Sequence, residues 1–395
     1  MSKKSNDVVI TAALRTPIGT YKGSLKGLSA DKLGALAIKE AVYKSKLKSD
    51  DIDEVIMGHV LTSGLGQNPA RQASIHAGIP VSKPAHIINQ VCGSGLRSVI
   101  SGYQSIKLGE NKIIVAGGQE NMSRAPHAIF YREDKKLDEN KLVDTMINDG
   151  LIDSFNNYHM GITAENVAEK YKISRDEQDL FALNSQEKTQ KAINENRFKN
   201  ELIKLKIDTD NKNFLFEKDE HPRSNLNLED LKKLKTVFKE NGTVTAGNSS
   251  GINDGAAALV LMSEDKANQL GLKALATIKS FADAARQPEW FTVVLAKALP
   301  KALDKANINI DDVDYFEFNE AFSVVGLANM KILGLSDAKV NVNGGAVSLG
   351  HPLGCSGARI VVTLLHVLEQ NNGKIGAAAI CNGGGGSSAM IIERI

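Results

Sequence analysis

Two cysteines 289 residues apart (381 − 92 = 289) each stand at the edge of a glycine-rich turn, Cys92 in the run NQVCGSGL and Cys381 in CNGGGG. A histidine, His351, lies between them in GHPLGCSG. One thiol can serve as nucleophile, the imidazole as its base, and the second thiol as a further acid or base. That set suits carbon–carbon bond chemistry better than hydrolysis.

Cys92 follows the apolar run IINQV and precedes GSGLRSVISGYQSI, which reads as strand, tight turn and helix. The thiol would then face a helix N-terminus, where the dipole and free amides favour the thiolate, so its pKa is expected below the ordinary value. Taken alone, a small buried cysteine filling the turn is the better explanation of the residue, and the surrounding motif reverses that preference. His351 sits between Gly350 and Pro352, on backbone stiff enough to present a base beside Cys92, or simply a histidine satisfied by a loop carbonyl. The glycines after Cys381, beginning at Gly383, let backbone amides approach a substrate oxygen closely, as an oxyanion hole requires.

Two other readings compete. A zinc site from Cys92, His351, Cys355 and Cys381 lacks any paired C-x-x-C spacing. The glycine run could cradle a phosphate, but the G-x-x-x-x-G-K-[ST] pattern is absent.

The elements that must position these groups repeat. Residues 50–58 (DDIDEVIMG) recur in pattern at 311–319 (DDVDYFEFN), an offset of 311 − 50 = 261, each copy after a helical stretch: Leu33, Leu36, Ala37, Glu40 and Ala41 in one, Val294, Ala298, Lys301 and Ala302 in the other. SGLR at 94–97 is echoed by SGAR at 356–359 (356 − 94 = 262), and each opens a hydrophobic helix leading to a buried strand, IIVAG from 113 and AAAIC from 377. Two similar α/β halves follow, with the active site expected where they meet. Between about Gln119 and Ser250 charge becomes dense, strands are hard to find, and stretches such as 199–208 and 228–238 read as surface helices and loops. We read residues 119–250 as an insertion, flanked by a first half of 1–118 plus 251–271 and a second half of 272–395.

The 395 residues carry a net charge of +2, 42 % hydrophobic and 24 % charged residues, ordinary values for a chain with a large core. Such a balance gives no general drive toward nucleic acid or anionic membrane, so any phosphate recognition must be local. No signal peptide or membrane span is legible, and three cysteines without paired spacing fit a reducing compartment; a cytoplasmic protein is expected.

Taken in order, NQVCGSGL, YHMGITAEN (158–166), TAGNSSGINDGAA (245–257), NEAF (319–322), GHPLGCSGAR (350–359) and CNGGG resemble the motifs of the thiolases, and within them the acetyl-CoA acetyltransferase branch, over nearly the whole chain. The resemblance implies two α/β halves in a five-layered αβαβα arrangement with a loop domain inserted in the first. It implies that Cys92 takes the acyl group from one acyl-CoA, that His351 activates its sulfur, and that Cys381 removes the α-proton of a second acetyl-CoA. Asn319 would hold a water that stabilises the enolate oxygen with His351, and the amides of Cys92 and Gly383 would bind the other oxyanion. Coenzyme A contacts carried over by position are His159 and Met160 near the pantetheine and thioester, Arg223 and Ser250 toward the nucleotide, and Ala246, Ala321 and Phe322 along the tunnel. Arg223 reads otherwise as a solvated surface arginine. Phe238 would pack on adenine or within the insertion's own core.

Three positions depart from the family pattern. WFTVVLA from Trp290 lacks the usual Gly-Pro pair, leaving Phe291 in the acyl-pocket position; Cys355 replaces a commoner alanine; and Asn382 replaces an aliphatic residue. The resemblance implies condensation of two acetyl-CoA to acetoacetyl-CoA and CoA, or its reverse, with no metal, no redox cofactor and no partner beyond these thioesters except other copies of the chain, as a homotetramer or dimer. The alternatives are a degradative 3-ketoacyl-CoA thiolase of longer chains, a β-ketoacyl synthase, against which Cys381 counts, and a non-catalytic acyl-CoA-binding relative.

Overall fold

The computed structural model describes residues 7–132, 141–209 and 212–395. Ten strands form one connected sheet: β1 (Val8–Arg15), β2 (Gly19–Thr20), β3 (Glu54–Gly58), β4 (Ala85–Ile88), β5 (Ile113–Asn121), β6 (Asn253–Ser263), β7 (Ala276–Ala285), β8 (Tyr315–Phe318), β9 (Ile375–Asn382) and β10 (Gly386–Arg394). Their order is β8-β9-β10-β7-β1-β6-β5-β3-β4, with β2 attached to β6. The join between halves is slender, because β1 pairs with β7 only at Val9↔Thr277 and Ile10↔Ala276.

The main helices are α1 (Ala30–Lys44), α2 (Pro69–His76), α3 (Ser94–Leu108), α4 (Met160–Tyr171), α5 (Arg175–Asn194), α6 (Leu295–Ala306), α7 (Ser323–Leu333) and α8 (Leu353–Gln370). Side-chain alternation along the strands sorts them into layers. Ile10, Ala13, Ile114 and Leu259 face α3 and α8, as do Ile278, Ile380, Met390 and Ile392 from the other half. Val9, Ala12, Leu14, Val115 and Val260 face the opposite way, onto α1 and α2. Ala377, Ala379, Ala389 and Ile391 face α6 and α7. The result is the expected αβαβα stack, with α8 buried continuously from Leu353 to Leu368 because sheet covers it on two sides.

The paired SGLR and SGAR motifs have a steric cause. A Cβ on Gly95 would stand 2.7 Å from the Ala358 amide nitrogen, and one on Gly357 would stand 2.3 Å from that of Leu96. The first turns of α3 and α8 therefore cross backbone to backbone, which no larger residue permits. The loops just before them, carrying Cys92 and His351, are brought together by that crossing.

The insertion differs from its sequence reading. β5 runs on through Gln119 to Asn121, so the chain leaves the sheet later than expected. Residues 199–208 are no helix; Leu205–Thr209 pairs with Lys212–Phe216 as an antiparallel hairpin whose Leu205 and Ile207 are buried. That alternation of apolar and lysine residues was a strand signal read with a helical period. The expected helix at 228–238 is confined to Leu228–Lys232.

Candidate active site

Cys92 stands one residue before the N-cap of α3, Gly93, on a turn whose preceding residue, Val91, is held at φ 47°. A left-handed β-branched residue costs about 1–3 kcal/mol and persists only where its surroundings impose it. They do: Asn89 Oδ1 accepts from the Val91 amide at 3.0 Å, and Ser94 Oγ donates to the Val91 carbonyl at 2.6 Å while accepting from the Gln90 amide at 2.8 Å. The Cys92 sulfur accepts from its own amide and from that of Gly383, so the two amides expected to bind an oxyanion already converge on it.

The expected depression of the Cys92 pKa is not found. Burial pushes the thiol up to about 12, against the lowering effect of those two amides. Desolvation outweighs the helix terminus because Cys92 is only 8 % exposed and Glu120 adds a nearby negative charge. Burial, and secondarily Arg359, hold His351 down at about 3. The resting pair is thus neutral thiol and neutral imidazole.

His351 is held on every side. Its amide donates to Asn253 Oδ1 at 2.9 Å, and Gly350 before it adopts φ 102° with no room for a side chain, since a Cβ there would stand 2.5 Å from Asn253 Cγ. Nδ1 lies 2.6 Å from Ser356 Oγ, which in turn donates to the Pro352 carbonyl at 2.9 Å. With that hydroxyl proton committed, Nδ1–H donates to Ser356 and Nε2 is the unprotonated, accepting nitrogen. Nε2 accepts from Asn319 Nδ2 at 3.4 Å, and the Oδ1 of that amide has no partner among the described residues. Cys381, at the end of β9, is fully buried; desolvation raises its pKa well above the usual thiol value, and a charge on Cys92 would raise it further.

A cavity of about 430 Å³ opens onto these groups. Its wall contains Cys92, His351, Gly383, His159, Met160, Arg223, Phe238, Ala246, Ser250, Phe291, Ala321 and Phe322. Cys381 and Asn319 are not in the wall. His159 caps α4, its Nδ1 accepting from the Gly161 amide at 3.0 Å, so the neutral ring directs Nε2–H elsewhere; burial lowers its pKa and keeps it neutral. Phe238 stacks on His159 at 4.5 Å between centroids and meets Phe322 edge-on at 6.1 Å, making an aromatic throat. Arg223 is exposed, and no carboxylate among the described residues forms an ion pair with it. Phe291 is 2 % exposed, in a short helical turn at Pro288–Val293. Cys355 and Asn382, the other two departures, are buried outside the cavity wall.

Several residues escaped the sequence reading. Ser356 was visible only as part of a motif. Glu120 accepts from the amides of Val60, Leu61 and Gly354 at 3.1, 3.2 and 2.9 Å, tying the His351 loop to the first half. His221, lining the cavity beside Arg223, is held neutral by burial, its pKa at about 4. Among the described residues no three His, Cys, Asp or Glu side chains are grouped as a metal site, so the zinc reading has no geometry.

Known proteins share this arrangement. Family models described as thiolase, N-terminal domain, and thiolase, C-terminal domain, match residues 8–265 and 272–394. An acetyl-CoA acetyltransferase of Pseudomonas aeruginosa is 49 % identical over 390 residues, covering 98 % of this chain and 99 % of its own. One from Saccharomyces cerevisiae is 50 % identical over 402 residues, covering 99 % and 100 %. The crystal structure of the Bacillus anthracis acetyl-CoA acetyltransferase superposes with a TM-score of 0.97 at 41 % identity, covering 100 % of both chains.

Proposed function

This chain belongs to the thiolase family, and we propose that it is an acetyl-CoA C-acetyltransferase, condensing two acetyl-CoA to acetoacetyl-CoA and CoA or running the reverse. The observation that carries the mechanism is the convergence of Cys92, His351 and the amides of Cys92 and Gly383 at one end of an apolar cavity. His351 Nε2 takes the Cys92 proton as the sulfur attacks the first thioester, the two amides receive the oxyanion, and Cys381 gives its proton to the departing CoA thiolate. The Cys381 thiolate then takes the α-proton of the second acetyl-CoA, with Asn319 and His351 stabilising the enolate. The new carbanion attacks acetyl-Cys92, a carbon–carbon bond forms, and the Cys92 thiolate recovers its proton from the His351 imidazolium. Every group ends as it began.

His159, Phe238, Ala321 and Phe322 would line the pantetheine path, with Ala246, Ser250 and Arg223 beyond them, the unpaired guanidinium suited to a phosphate. Phe291 and Met160 restrict the acyl end, which favours a short chain. The reaction as proposed draws on no metal or redox cofactor. A homotetramer or dimer in the cytoplasm completes the proposal, supported by exposed Phe130 and Tyr131, by the open edge of β4, and by three free thiols. Light scattering reads the assembly, and cell fractionation reads the location.

Thiolysis of acetoacetyl-CoA by added CoA, without metal, tests the chemistry. Turnover should collapse in both Cys92→Ala and Cys381→Ala. Cleavage only of longer 3-ketoacyl-CoA would favour a degradative thiolase, and cleavage of neither, with acetyl-CoA still protecting Cys92 from alkylation, a binding protein.

A further inference from the structure

A second cavity, of about 330 Å³, lies where β1 parts from β7 after their two residue pairs. Its walls are Thr11–Leu14 of β1, the end of α1 at Lys44–Lys46, the 271–275 link between the halves, and His366 and Glu369 near the end of α8. Leu353, beside His351, and His366 are thirteen residues apart on α8, roughly 20 Å at 1.5 Å per residue, so this wedge is distinct from the catalytic cavity.

One buried polar atom here has no partner among the described residues, the Thr11 hydroxyl. The pairing of β1 with β6 shifts between Ile10 and Ala12, which leaves Thr11 as the extra residue of a bulge. Bulges re-aim a side chain out of the ladder's alternation, and Thr11 lines the wedge instead. Thr11 is 6 % exposed, and its hydroxyl is unbonded. His366, also 6 % exposed, donates Nε2–H to the Ala13 carbonyl at 3.2 Å, while its Nδ1 faces the Glu369 carboxylate at 3.6 Å and holds that carboxylate below its ordinary pKa. Lys44, Lys46 and Lys273 line the same wedge, three exposed ammonium groups against the single carboxylate of Glu369, and none of the three is in an ion pair among the described residues. A buried hydroxyl without a protein partner keeps its proton to offer whatever enters the wedge.

We propose that this wedge binds a small polyanion, a phosphate compound or a polycarboxylate, with Thr11 donating to an anionic oxygen and the three lysines supplying charge. The chemistry is shared by both ligand sources, and the probes separate them. Titration calorimetry at constant ionic strength, on enzyme saturated with CoA to fill the catalytic cavity, uses inorganic pyrophosphate in one arm and citrate in the other. Saturable binding of either probe is expected, weakened at least tenfold in Lys46→Gln/Lys273→Gln and several-fold in Thr11→Val, with thiolysis rates unchanged in both variants as proof of folding. No saturable binding of either probe to the wild type, or equal binding to wild type and variants, overturns the proposal.

Discussion

Replacing Ser356 by alanine should disable His351 without touching the substrate. Ser356 is 1 % exposed and absent from the cavity wall, and its hydroxyl proton is committed to the Pro352 carbonyl. What it gives His351 is an acceptor at 2.6 Å for Nδ1–H, fixing the tautomer whose Nε2 can take the Cys92 proton. Loss of that acceptor leaves a buried donor unmatched, at about 1–3 kcal/mol, and the cost grows toward the upper end as the ring becomes charged in the transition state. At about 1.4 kcal/mol per decade, kcat/KM for acetoacetyl-CoA thiolysis should fall roughly 5- to 140-fold, carried by kcat with KM nearly unchanged. A nitrogen-15 spectrum of His351 should show Nδ1 protonated in the wild type and a mixed tautomer in the variant. Wild-type kcat/KM in Ser356→Ala, or a wild-type ring protonated at Nε2, would show the reasoning to be wrong.

Three further outcomes follow from the same geometry. Because burial holds the Cys92 thiol at about 12, its alkylation rate by iodoacetamide should climb about tenfold per pH unit from pH 6 to 9.5; a plateau near neutrality would reveal a resting thiolate–imidazolium pair instead. Cys92 and Cys355, both pushed by burial up to about 12, and Cys381, which burial also raises well above the usual thiol value, keep their protons when folded while the unfolded chain ionises from about 9. Stability is then complete below pH 9 and lost as pH rises toward 12, by about 1 kcal/mol per pH unit per thiol, so urea midpoints at pH 8, 9 and 10 should drop less steeply in Cys355→Ala than in wild type. Gly161→Ala would set a Cβ 2.2 Å from the Phe238 ring and push it off His159, so KM for the CoA thioester should rise several-fold while the melting temperature moves by only a few degrees; an unchanged KM would remove the aromatic throat from the substrate path.

Much of the layered fold was legible because it repeats. Ser49–Asp51 and Ile310–Asp312 are both short helical turns, each leading into a parallel strand, β3 or β8, so one pattern read twice gave two halves. The insertion was opaque for the opposite reason. Leu205, Ile207 and Phe216 bury against α1 and β1 of the first half, a tertiary partner that no local pattern announces, and lysines on the outer face hid the strand period.

The same distinction explains the one chemical error. Residue types and turn signals place a thiol ahead of a helix, and on those terms its pKa ought to fall. Its state is decided by how much water remains, which depends on α3 and α8 crossing at Gly95 and Gly357 and on the sheet of the other half closing behind them. A helix terminus contributes a fraction of a charge, whereas full desolvation of a thiolate costs several pKa units. The site consequently keeps both protons until a thioester arrives, and two amides aimed at the sulfur stand ready for charge that exists only during the reaction. A neutral pair suits an enzyme whose nucleophile must survive in the presence of other electrophiles, since the thiol becomes reactive only when His351, its tautomer fixed by donating Nδ1–H to Ser356, can receive its proton.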